Sequence, residues 1–155
     1  PKAAQKESFA GRAAVICDRE DSEQDALALV ENIAKNLEMH LIYMNADAHD
    51  VHTAYISHIS HITSYALANT VLEKEREEDT IFQLASSGFS STVRLAKSHP
   101  EMWVPIFKQN KENVLDVLNE HITQLRKFKS ALEKENFELL EELIKNANKI
   151  RGILK

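Results

Sequence analysis

Glycine is scarce in this 155-residue chain, where Gly11, Gly88 and Gly152 are the full complement. A nucleotide-binding turn needs clustered glycines so that the backbone can approach a pyrophosphate, and these three stand far apart in sequence. Neither a dinucleotide fingerprint nor a P-loop is present, so any nucleotide cofactor of the parent activity must have its phosphates held elsewhere. Cysteine is scarcer still. Cys17 alone forms no internal disulfide and no zinc framework, and within its apolar run it reads as a small packed hydrophobe. A basic face is also missing: 19 Lys and Arg are scattered among 24 Asp and Glu, net charge −5, which argues against a general nucleic-acid binder. No apolar run approaches the ~20 residues that span a bilayer and no signal peptide is evident. The expected partners therefore include neither nucleic acid nor membrane, and the expected setting is a reducing cytoplasm.

What is present is an ordinary globular composition, 43% apolar and 28% charged. Residues 1–8 are polar and read as frayed. Arg12–Cys17 reads as a buried strand, and Asp21 or Ser22 offers an N-cap. Leu27, Val30, Ile33, Ala34 and Leu37 then recur at helical spacing, and His40–Met44 returns to a strand. Strand, helix, strand is a β-α-β crossover, the unit of a parallel sheet. Two strands cannot bury both faces of such a sheet, so this piece reads as the tail of a larger α/β domain, or as one that finds further strands in another chain.

From residue 46 the pattern turns helical. Residues 47–74 predict one long helix, the acidic run 73–79 a solvated connection, and 80–86 a short helix that Gly88 breaks. Ser90–Lys97 predicts another short helix. Pro100 opens a long helix that continues to Phe128, and Asn136 caps a last one. The broad apolar stripes of the two long helices point to a bundle and a dimer interface. The fold class is thus mostly α, preceded by a β-α-β piece.

Two stretches carry chemistry. Residues 49–61 hold four histidines, at positions 49, 52, 58 and 61. At about 100° per residue these do not converge on one ion, so a shared metal site is disfavoured. His61 instead falls in a polar stripe with Asp50, Ser57 and Tyr65, which either satisfies itself or lines a pocket. Residues 88–103 place Arg94 in an apolar neighbourhood ahead of the only tryptophan, Trp103. A guanidinium in such surroundings wants an anionic partner; Ser90, Ser91 and Thr92 supply none, which leaves room for a ligand carboxylate.

Together the two stretches resemble the C-terminal helical domain of prephenate dehydrogenases. The first matches at His49, Asp50, Ser57, His58 and His61, the second at Gly88, Phe89, Arg94, Ala96, Pro100, Met102 and Trp103. The resemblance implies that residues 1–45 end a Rossmann-type nucleotide domain and that 46–155 form a helical substrate-binding and dimerisation domain. It implies oxidative decarboxylation of prephenate to 4-hydroxyphenylpyruvate with NAD or NADP in the complete enzyme, and a homodimer built on the C-terminal helices. The catalytic residues would lie outside this chain, which alone would be inactive. Arg94 would bind a carboxylate of prephenate or a similar dicarboxylate. His49, Ser57, His61 and Ser90 would line the substrate side, and Trp103 would pack its wall. The chain departs from the family at Ser60, where proline is common, and at Ser90-Ser91, where a basic-acidic pair is common. Arogenate thus stays open as substrate, and a non-catalytic helical dimerisation module remains the competing reading.

Overall fold

A computed structural model describes residues 7–76 and 80–153, which divide into two compact units, one ending at Thr53 and the other beginning at Ala54. Of the sequence expectations, residues 1–6 of the frayed stretch 1–8 and residues 77–79 of the connection 73–79 lie outside the described residues, while 73–75 belong to a helix rather than to a connection. No helix among the described residues is long and apolar enough to cross a membrane.

In the first unit, β1 (Ala13–Cys17) and β2 (His40–Met44) pair in parallel from Ala13↔His40 to Cys17↔Met44, joined by α1 (Gln24–Asn36). A parallel pair cannot be closed by a tight hairpin, and the helix supplies the crossover. The start of α1 differs from expectation. A 3-10 turn spans Arg19–Asp21, and α1 begins after Glu23 without a side-chain cap. The apolar stripe of α1 is also only partly covered. Leu27 and Ala34 are buried, while Val30, Ile33 and Leu37 stay about half exposed, because two strands present too little surface to cover them.

At the carboxyl end of β1, Asp18 adopts a left-handed backbone (φ 46°), which aspartate tolerates better than most residues. Its carboxylate accepts the Ala46 N–H at 3.2 Å, while Asn45 Oδ1 accepts the Ala48 N–H at 2.7 Å. These two side chains satisfy open donors at the start of α2 (Ala46–Thr53).

The second unit opens with a π turn, Ala54–His58, followed by α3 (Ile59–Glu75). The single uniform helix expected over 47–74 is therefore interrupted, and a constant 100° step does not hold through 54–58. A 3-10 turn at Ile81–Leu84, α4 (Ser87–Thr92) and a second 3-10 turn at Arg94–Lys97 follow. Gly88 lies inside α4 rather than breaking a helix. Pro100 is the first residue of α5 (Pro100–Gln109), as its missing N–H favours. The expected continuous helix from Pro100 to Phe128 is broken at Asn110, where α6 (Lys111–Glu133) begins. Asn136 does cap α7 (Phe137–Asn148), its Oδ1 accepting the Leu139 N–H at 2.9 Å.

The core of this unit mixes apolar Ala54, Trp103, Val114, Val117 and Ala131 with polar His58, His61, Ser64 and Asn110. Outside it, Leu125, Leu132 and Phe137 on α6 and α7 are more than half exposed. These helices carry more apolar surface than one chain covers.

With glycine so rare, two helices end on glutamate. Met39 N–H returns to Ala34 C=O around Glu38 (φ 56°), and Asn136 N–H returns to Ala131 C=O around Glu135 (φ 51°). Both are the six-to-one closure in which the left-handed position favours glycine. Glu38→Gly and Glu135→Gly should each stabilise the chain by about 0.5–1 kcal/mol, read as a higher denaturation midpoint; a lower midpoint would contradict the assignment.

Candidate functional site

The buried side of α3 and the turn before it is polar. His58, His61 and Ser64 recur every three residues on one helix face, each less than a tenth exposed. Such a face is costly unless every group finds a partner. His61 Nδ1 lies 3.1 Å from Ser57 C=O. A carbonyl only accepts, so Nδ1 carries the proton, and in the neutral ring Nε2 is an acceptor. The ring stacks on Trp103 with centroids 3.4 Å apart and planes at 27°. His58 meets Trp103 and Phe107 edge-on, and its Nδ1 lies 3.3 Å from Asn110 Nδ2. Asn113 Nδ2 donates to Asn110 Oδ1 at 2.7 Å, so Asn110 presents its amide N–H to His58, whose Nδ1 is the acceptor. The break between α5 and α6 thus places a buried amide against a buried imidazole.

Ser64, only 1% exposed, ties α3 to the segment carrying Arg94. Its hydroxyl donates to Thr92 C=O at 3.0 Å and accepts the Ala96 N–H at 3.1 Å. Arg94 itself corrects the sequence reading. It is exposed, whereas Val93, Leu95 and Ala96 beside it are half-buried. Among the described residues no carboxylate lies within ion-pair distance of it. The apolar residues around it in sequence turn inward along a short 3-10 turn and leave the guanidinium outside.

The structure thus brings Ser57, His61 and Trp103 together, with the Arg94 turn pinned to the same helix. Ser90 is exposed on α4. His49 belongs to the first unit, its Nδ1 3.0 Å from Asp50 Oδ1. Trp103 also walls a cleft of about 400 Å³ shared with Tyr65, Ala96 and Phe107, a size that suits a small ligand. Among the described residues no three His, Cys, Asp or Glu side chains are grouped to hold a metal. Sequence reasoning missed Ser64 and Asn110. The three-residue repeat from His58 through His61 leads to Ser64, whereas nothing local in sequence marks Asn110 as the partner of His58.

Residues 45–146 match the family model described as prephenate dehydrogenase, dimerization domain. The chain belongs to this family. It is 28% identical over 137 residues to the prephenate dehydrogenase of Bacillus subtilis (strain 168), covering 88% of this chain and 37% of the relative. It is 27% identical over 156 residues to the cyclohexadienyl dehydrogenase of Zymomonas mobilis, covering 100% of this chain and 53% of that protein. Among solved structures it resembles Aquifex aeolicus prephenate dehydrogenase in complex with hydroxyphenyl propionate and NAD+. That match has a TM-score of 0.86 and 27% identity, over 99% of this chain and 54% of the other. Synechocystis arogenate dehydrogenase, at 22% identity and a TM-score of 0.77, shares the fold over 97% of this chain and 55% of its own. The chain therefore spans about half the length of these relatives, or less. The fold class read from sequence, mostly helical after a β-α-β piece, agrees with both the structure and the family.

Replacing Asn110 by Ala should cost about 1–3 kcal/mol, because it removes a donor from buried His58. Chemical denaturation measures this; a loss below about 0.5 kcal/mol would show that the amide contributes little.

Proposed function

We propose that this chain is the substrate-binding and dimerising part of a dehydrogenase acting on prephenate, with arogenate as the alternative substrate. The reaction is oxidative decarboxylation: the ring carbinol loses hydride, the ring carboxylate leaves as CO2, and the product is aromatic. NAD or NADP supplies the hydride acceptor when bound, its phosphates held outside these residues, since no glycine-rich turn occurs among them. Residues 1–45 then read as the end of the nucleotide domain and 46–155 as the helical domain. The protein's task is orientation, because aromatisation supplies the driving force.

In this reading Arg94 binds a substrate carboxylate, and Ser57, His61 and Ser90 line the substrate side, with Trp103 as wall. One observation carries it: Arg94 has no protein counter-ion among the described residues, yet its turn is fastened to the helix that holds His61 on Trp103. With His61 Nδ1 donating to Ser57 C=O, the unprotonated form of the ring offers Nε2 as an acceptor, complementary to a hydroxyl or to the ammonium of arogenate. The cytoplasmic setting inferred from sequence fits such a biosynthetic role.

Arg94→Ala in the dehydrogenase containing this chain should raise the KM for prephenate about 10- to 150-fold, equivalent to about 1.5–3 kcal/mol for a charged contact. Steady-state kinetics with KM and kcat both unchanged would leave only an assembly module. The homodimer is assigned to the exposed apolar faces of α6 and α7. Leu125→Asp combined with Leu132→Asp should yield monomers in sedimentation; an intact dimer would place the interface elsewhere.

A further inference from the structure

We propose that Ser64 is the positioning residue for Arg94, an inference that rests on the carboxylate-binding reading of Arg94 given above. In an uninterrupted helix the Ala96 N–H would bond to Thr92 C=O, four residues back. Here the Ser64 hydroxyl stands between them, donating to the carbonyl at 3.0 Å and accepting the amide at 3.1 Å. A hydroxyl does both at once, and a side chain inserted into the ladder interrupts a helix at that point. The Ala96 N–H also reaches Val93 C=O at 3.0 Å, the shorter-range bond of the 3-10 turn. The interrupted interval is 92–96, and Arg94 is its central residue.

The consequence is directional. Arg94 makes no ion pair among the described residues, so its backbone is what aims it. That backbone is held open by a residue of α3 only 1% exposed and one turn beyond His61. Guanidinium and imidazole are thereby referred to one helix. Without the hydroxyl, Thr92 C=O and Ala96 N–H are free to bond directly, which rewinds the turn and swings Arg94.

The test is a double-mutant cycle in the dehydrogenase containing this chain. It is read as the Kd of hydroxyphenyl propionate and as the KM and kcat for prephenate. Ser64→Ala should raise both Kd and KM about tenfold and leave kcat within about twofold. In an Arg94→Ala background the same substitution should have no further effect. Unchanged affinity in Ser64→Ala beside weakened affinity in Arg94→Ala overturns the positioning role and leaves the binding role of Arg94 standing. A Ser64 effect that persists in full without Arg94 shows a general structural role and also overturns it. Unchanged affinity in Arg94→Ala removes the reading and this inference with it. Should Ser64→Ala fail to fold, Ser64→Cys keeps the shape, weakens both hydrogen bonds, and is judged by the same criteria.

Discussion

A polar seam buried in a helical unit is the constraint on which the second half of this chain depends. His58, His61 and Ser64 line the inner face of the turn and helix at 54–75, where an ordinary bundle would place leucine. Each buried polar group costs free energy unless paired. The rest of the unit is arranged as partners: Ser57 for His61, Asn110 for His58, and Thr92 with Ala96 for Ser64. Trp103 closes the seam by stacking on one imidazole and meeting the other edge-on. Three irregular features of the unit fall at these contacts. The π turn carries His58, the break between α5 and α6 carries Asn110, and the interruption after α4 is the point where Ser64 enters. Irregular backbone at such points marks places where a side chain outranks the regular ladder.

Stability and specificity pull apart in such a core. The buried apolar set in this unit is small, and large apolar side chains on α6 and α7 remain outside. Surface of this kind is stabilising only when covered, which is consistent with a domain whose family is described by its dimerization. The first unit has the same character on a smaller scale. Its two-stranded sheet leaves half of the α1 stripe uncovered.

Much of this was legible in the sequence because the signals were local. The strand at His40–Met44, the cap at Asn136 and the proline start at Pro100 follow from single-residue chemistry, and each stands in the structure. The illegible parts are those decided by distant partners. Asn110 breaks a periodic helix because its amide meets a histidine 52 positions earlier, and no pattern in residues 100–128 encodes that contact. The sequence neighbours of Arg94 are apolar and suggest an apolar environment for its guanidinium. A 3-10 turn instead sends Val93, Leu95 and Ala96 inward and the guanidinium outward, so sequence adjacency was a poor guide to environment. The π turn was invisible for a related reason: its extra residue changes no composition.

An exposed arginine with no counter-ion among the described residues suits ligand capture better than an enclosed one. A guanidinium sealed beside a protein carboxylate would be neutralised already, and a ligand would have to displace that partner. One left in water keeps its charge and its planar fork available, and pays only the loss of its own hydration and side-chain freedom on binding. What such a residue lacks is direction, since a long side chain in solvent samples many rotamers. A fixed backbone is the remedy that stays compatible with a free head group. Here the Ser64 hydroxyl supplies it by holding the turn open from the helix that bears the histidines. The buried seam and the exposed charge are thus two ends of one arrangement, in which polar atoms placed inside hold the backbone that aims the charge outside.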